Sequence, residues 1–399
     1  MTAGMSDVER DVLDRISVDD VAALTSALVA APGENPPGGE AETARVLAEA
    51  CSERGLGVDV DEVEPGRPNV SATLAGGSAP GLLLLGHTDV VPIGDGWTMD
   101  PVGGVVRDGR LYGRGSTDMK GGLAASVVAM AALRSSGVTL SGPVELAAVV
   151  DEEETGDGIR HYIGASRGSG FGGCIVAEPT DLQPIIAARG DSYLEIDVTG
   201  KAAHSGNPSD GINAINGAAA IVRELEAWHE EMASAGSHPL VGPPTWNVGQ
   251  VHGGLGTSTV PAECRLVVDR RLLPSEEGAP VLAETRKRIA DLGLEERGLG
   301  VEVAMTMEMP GFETSADHPF VSAVDGALGT AGGPGLPLAG WTAACDGGFI
   351  AREYGMPVVV LGPGSVGTQA HQPDESVGVD ELVVAARTYA LAALRLLSA

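Results

Sequence analysis

The sequence predicts an α/β fold with a second, α+β unit set into it, and three observations predict it. Short all-apolar runs bounded by glycine, clearest at 82–85 (LLLL), read as strands buried on both faces. Two helical patterns, three strands, a long helix and two further strands follow one another through residues 1–188, enough for a mixed sheet flanked by helices. From 189 to 308 the order becomes βαββαβ with half-buried strands, which predicts an antiparallel sheet with helices on one face. Strands of the first type resume near 309 and run to 399, so the second domain interrupts the first.

Composition sets the outer limits. A chain of 399 residues is long enough for two domains, and 43% hydrophobic with 20% charged residues is ordinary for a globular protein. The balance of 25 basic to 55 acidic residues gives −30, which argues against nucleic acid and anionic membrane as partners. No apolar run approaches the roughly 18 residues that would span a bilayer. The N-terminal stretch MTAGMSDVERD is polar and acidic, unlike a signal peptide. Cys51, Cys174, Cys264 and Cys345 form no CxxC and no disulfide-like pattern, so reduced thiols in a cytoplasmic protein are expected.

In chain order, Asp19-Asp20 caps a helix over VAALTSALVA, and a second helix runs from 40 to 55, closed by Gly55. Pro36-Pro37-Gly38-Gly39 is the loop between them. Strands are predicted near 57–63, 69–75 and 81–86. At the carboxyl end of the third, where α/β sheets carry their functional groups, come His87 and Asp89. Two residues apart in extended backbone they share a face, so the Asp89 carboxylate can hold the His87 ring and raise its basicity toward a metal. Alone, the pair suits a capped polar loop equally well.

Next comes DGRLYGRGSTDMKGGLAASVVAMAAL, with Asp118 as N-cap or first-turn residue of a helix over 119–133. Glycines 113, 115, 121 and 122 exceed what capping needs and imply closely packed backbone. No GxGxxG follows a strand, so a dinucleotide fingerprint is absent. The strand at 144–150 ends in Asp151-Glu152-Glu153-Glu154, four carboxylates that repel one another unless solvent or a cation relieves them. The run at 174–177 leads into Glu178, and the strand at 356–364 is followed by His371. Five junctions thus each deliver a His, Asp or Glu. Two histidines and three carboxylates without cysteine suit a pair of divalent ions such as zinc, manganese or cobalt. A carboxylate shared by two ions about 3.5–4 Å apart makes a two-metal hydrolytic site. A spare glutamate beside a liganding one can take the proton from the attacking water. Metal hydrolase is the class these residues favour.

In this order, His87-Thr88-Asp89, GRGSTDMKGG, DEE, EPT and AHQPDE resemble the aminoacylase/acetylornithine deacetylase/succinyl-diaminopimelate desuccinylase/glutamate carboxypeptidase family of co-catalytic zinc hydrolases. The resemblance covers nearly the whole chain. It implies a zinc-peptidase-like catalytic domain, with a ferredoxin-like lid and dimerisation domain inserted at 189–308. It implies His87 and Glu178 as ligands on one side, Glu153 and His371 on the other, and Asp118 bridging. Glu152 is the implied general base and Asp89 the residue orienting His87. Since DEEE runs one residue long, Glu153/Glu154 remains an alternative pair.

In the inserted domain, GKAAHSGNPSDGINAI carries His204, whose spacing alone marks nothing special. The resemblance gives it a role in the partner subunit's site, donating to the tetrahedral oxyanion. Arg271 in VVDRRLLP matches the family position that binds a substrate carboxylate, a contact well suited to a guanidinium; pairing with Asp269 is the plainer alternative. Ser258 in GTSTVP stands where the family has Asn in an N-x-V/I-P turn, so the substrate pocket departs in shape. GWTAACDGGF matches the pocket segment loosely; Trp341 could line it, and Cys345 reads as a buried small residue.

The resemblance therefore implies an amidohydrolase that removes an acetyl or succinyl group from an amino acid, acting as a homodimer on a small N-acyl amino acid or short peptide. Glu178, rather than Asp, points away from aminopeptidases. A carboxypeptidase or dipeptidase of the same family would share every ligand, and an inactive binding protein would be expected to have lost one.

Overall fold

The computed structural model describes residues 5–398. The chain divides into two compact units, one running through residue 186 with 313–339 and everything from 349 onward, the other comprising 187–312 and 340–348.

The first unit is built on a mixed sheet. Its strand order is Gly57–Glu64, Arg67–Leu74, Val144–Val149, Gly81–His87, Phe171–Val176, Val358–Val360 and the short Ile185–Ala188. The four strands from Val144–Val149 to Val358–Val360 are parallel, and the first two are antiparallel. All seven residues of Gly81–His87 are buried, as an apolar run between two neighbours requires. His87 lies opposite Val149 and Leu85 opposite Val176, so the parallel strands end side by side. Helices Val18–Ala30, Gly121–Ser136 and Val379–Leu396 pack on one another beside this sheet.

Two local expectations change. Ser17, whose side chain accepts the Asp20 N–H, caps the first of these helices rather than Asp19-Asp20. Asp118 caps nothing: its backbone is extended (φ −118°, ψ 96°) in the tight segment Ser116–Lys120, and the regular helix begins at Gly121. The surplus glycines have a packing cause. A Cβ on Gly122 would sit 2.1 Å from the Ala177 carbonyl oxygen, directly before Glu178.

The second unit pairs Thr245–Gly253, Glu263–Arg271, Asp191–Thr199 and Gly300–Met309 in that antiparallel order. Helices Ala214–Ala235 and Gly278–Ala290 cover one face through Leu194, Ile196, Val198, Leu266 and Val268, the predicted βαββαβ topology. Residues 340–348, expected in the third segment of the chain, belong to this unit. The Trp341 carbonyl accepts the Arg189 N–H at 3.0 Å, and Gly340 lies against Leu240. Three residues of edge strand, Ala339–Trp341, are too short to leave a periodic signal.

Candidate metal centre

The carboxyl ends of the parallel strands carry His87, the 151–153 turn and Glu178, and the loop after Val358–Val360 carries His371. Asp118 enters from the segment preceding a helix, not from a strand end. It is nevertheless central. Its Oδ1 is 3.2 Å from His87 Nε2, and its Oδ2 is 3.5 Å from His371 Nε2. His87 Nε2 is also 3.4 Å from Glu178 Oε1 and 3.9 Å from Glu152 Oε2. His371 Nε2 is 3.2 Å from Glu153 Oε2, whereas Glu154 is exposed. The six side chains thus sort into two half-sites that share Asp118.

Asp89 organises the first half-site. The His87 Nδ1 lies 3.0 Å from the Asp89 carbonyl oxygen and 3.4 Å from its Oδ1, so the main chain is the nearer acceptor. The buried Asp89 carboxylate also accepts the N–H groups of Glu152 at 3.3 Å and Glu153 at 3.1 Å, tying the ring to the acidic turn. Asn35, absent from the sequence reasoning, completes this arrangement. Its Nδ2 donates to Asp89 Oδ2 at 3.0 Å and to Asp151 Oδ1 at 2.9 Å. Arg67 reaches the same Asp151 oxygen at 2.8 Å and is itself held by buried Glu40. Asn35→Ala leaves two buried carboxylates each short of a donor. We expect a loss of about 1–3 kcal/mol of stability, read by thermal unfolding, together with a lower kcat.

The electrostatics call for cations. Burial, reinforced by the Asp118 charge, pushes the Glu178 carboxyl up to about 7 and raises Glu153 as well. Burial would also raise Asp118, but its hydrogen bonds to His371 and His87 outweigh that and hold it low. Hydrogen bonds to Asp118 and Glu153 draw His371 up to about 10. Burial disfavours a charged His87 ring, yet Glu178 and Asp118 raise it well above its usual range. The two imidazoles are drawn toward carrying the charge that divalent ions would supply. Glu153 Oε1 is buried without a hydrogen-bond partner, an open donor in the second half-site. Donor atoms of His87, Asp118 and Glu153 lie within 4.8 Å of one another, as do those of His87, Glu152 and Glu178. Nitrogen and oxygen donors without sulfur fit divalent metal ions.

The second unit holds the remaining nominated residues. His204 is exposed, and its Nδ1 accepts the Gly206 N–H at 3.0 Å, so a neutral ring keeps its proton on Nε2 as a donor. Exposed Ser258 sits beside it, with its carbonyl accepting the Ser205 N–H. Arg271 is doubly paired. Asp269 takes its Nε and Nη2 at 3.0–3.2 Å, and Asp191 takes Nη1 at 3.0 Å. A guanidinium has five N–H groups, so one on each terminal nitrogen is left for a carboxylate. Cys345 is buried.

Fold and centre together define a metal-dependent hydrolase. Residues 83–395 match Peptidase family M20/M25/M40, and the chain belongs to that family. It is 34% identical over 333 residues to acetylornithine deacetylase of Vibrio vulnificus, covering 82% of this chain and 84% of that one. It is 33% identical over 347 residues to the enzyme so named in Vibrio campbellii, covering 86% and 88%. Among solved structures, an M20 metallo-carboxypeptidase from Sulfolobus solfataricus superposes with a TM-score of 0.78 at 21% identity, over 95% of this chain and all of that one. A dinuclear metal-binding M20 peptidase from Bacillus subtilis gives 0.73 at 17% identity, over 95% and 98%.

Among the described residues no helix is long and apolar enough to cross a membrane.

Proposed function

We propose that this chain hydrolyses the amide bond of an N-acyl amino acid, releasing an acetyl or succinyl group, with zinc as its ion and cobalt or manganese as substitutes. The observation that carries the reading is the division of Asp118 between His87 and His371, with Glu178 and Glu153 on either side. The one-third identity to acetylornithine deacetylases supports the acyl specificity. Bound at these donors, two divalent ions would acidify a water molecule and polarise the acyl carbonyl. Glu152 takes the proton of the attacking water and passes it to the leaving amine. Asp89 keeps His87 and the Glu152 main chain in fixed relation. His204 donates from Nε2 to the oxyanion, and Arg271 takes the substrate carboxylate with its two remaining N–H groups. Ser258, beside His204, shapes the pocket where the family carries Asn.

The proposed working form is a homodimer, supported by the exposure of His204, which suits reaching a neighbouring subunit. Four buried free thiols suit a reducing cytoplasm. Cleavage of dipeptides is the second reading, because the same donors serve a peptide bond and the matched family is one of peptidases.

A hydrolysis panel of N-acetyl amino acids, N-succinyl amino acids and dipeptides separates them. Turnover confined to one acyl class supports the proposal, and turnover of dipeptides alone overturns it. In the same assay Arg271→Ala is expected to raise KM by about 10–100-fold, the worth of a charge-assisted contact, with metal content unchanged. His204→Ala should instead lower kcat by about 10²–10³-fold. An unchanged KM in the first variant or kcat in the second removes that residue from its role.

A further inference from the structure

Beside the metal centre lies a buried ion pair that takes no part in the proposed chemistry. Glu375 is 1% exposed and Arg114 4%. Glu375 Oε1 accepts the main-chain N–H groups of Thr117 at 2.9 Å and Asp118 at 3.1 Å. Its Oε2 accepts Arg114 Nη1 at 2.7 Å. Arg114 also donates to the carbonyls of Gln372 at 3.3 Å, Pro92 at 3.4 Å and Ile93 at 3.2 Å. Two side chains therefore fasten three segments together: the one following His87 and Asp89, the one ending in Asp118, and the one beginning with His371. A local reason explains why a carboxylate is needed. Asp118 is extended rather than helical, and Glu375 receives its main-chain N–H together with that of Thr117.

We infer that Glu375, held by Arg114, is a positioning residue that fixes the direction of the Asp118 carboxylate and thereby the match between the two cation half-sites. The inference rests on the two-cation reading above. An isosteric amide tests it, because Glu375→Gln has one acceptor oxygen and one NH₂ group for contacts that all need an acceptor. Either the two main-chain N–H groups or the Arg114 guanidinium then faces a donor.

Metal-depleted protein titrated calorimetrically with Zn²⁺, and separately with Co²⁺, reads the result without reference to catalysis. Wild type is expected to bind two ions. Glu375→Gln should bind one with wild-type affinity and the other about 10–100-fold more weakly, the usual cost of losing a group that orients a ligand. Arg114→Lys keeps the charge but loses the fork, and should weaken the same ion; it also serves if the amide variant does not fold. Arg110→Ala is the control. Arg110 holds the neighbouring Ser376 through its carbonyl at 2.7 Å and hydroxyl at 2.9 Å without touching Glu375. Both affinities should be unchanged there. A lowered melting temperature with both ions bound normally in Glu375→Gln would make the pair purely structural and overturn the inference. Equal weakening in Arg110→Ala would do the same, since loop anchoring in general would then be responsible. Fewer than two ions on the wild type would fail the two-cation reading instead.

Discussion

Glu152→Ala should hold two divalent ions as wild type does and yet turn over substrate about 10²–10⁴-fold more slowly, the usual contribution of a positioned acid–base group. Glu152 combines the features that the role demands. Its side chain is 12% exposed, so water can reach it, and its Oε2 lies 3.9 Å from His87 Nε2, beside the half-site without filling it. Its main-chain N–H is anchored on Asp89, which gives the carboxylate a fixed origin. Glu153, one residue on, turns instead to His371. Truncation at 152 should therefore strike kcat while leaving metal analysis untouched, and truncation at 153 should strip an ion. Full activity in Glu152→Ala would place the base elsewhere.

Chelation is the second large effect. Four carboxylates and two imidazoles lie close together, and Glu178 and Glu153 are held above their usual ionisation range by burial and by the Asp118 charge. Removing the ions should abolish hydrolysis to the limit of detection. It should also destabilise the fold, since ions in thousandfold excess over their dissociation constant contribute about 4 kcal/mol. Restoring Zn²⁺, Co²⁺ or Mn²⁺ should recover both activity and melting temperature. Activity that survives metal removal, confirmed by elemental analysis, would refute a metal-dependent reaction.

Much of this centre was legible because strand ends announce themselves. His87 and Glu178 each follow an apolar run that cannot be anything but interior, and parallel register then brings them level. The inserted unit was legible for a related reason, since alternation over nine-residue strands and long amphipathic helices leaves little choice of topology. What escaped was held by tertiary contact alone. Asn35 sits in a Pro/Gly-rich loop with no periodic neighbour, yet it joins Asp89 to Asp151 across 54 and 116 residues of chain. Asp118 resembled a helix cap because a helix does follow, and only the fold shows the extended turn before it. Arg114 and Glu375 flank two nominated ligands at four residues' remove, a symmetry of opposite charges that could have been noticed. The excursion of 340–348 left no periodic trace at all.

The interruption of the first unit bears on how the molecule is made. Strand Val358–Val360 occupies an interior place in the sheet, between Phe171–Val176 and Ile185–Ala188, and His371 follows it. On a ribosome, the four-stranded sheet of the second unit is already out when that strand emerges. A nascent chain thus carries an open slot in its larger sheet, and a centre that lacks His371, throughout the synthesis of the inserted unit. Binding of divalent ions by both half-sites becomes possible only once His371 has appeared, so a chain stopped before it is expected to yield no working hydrolase.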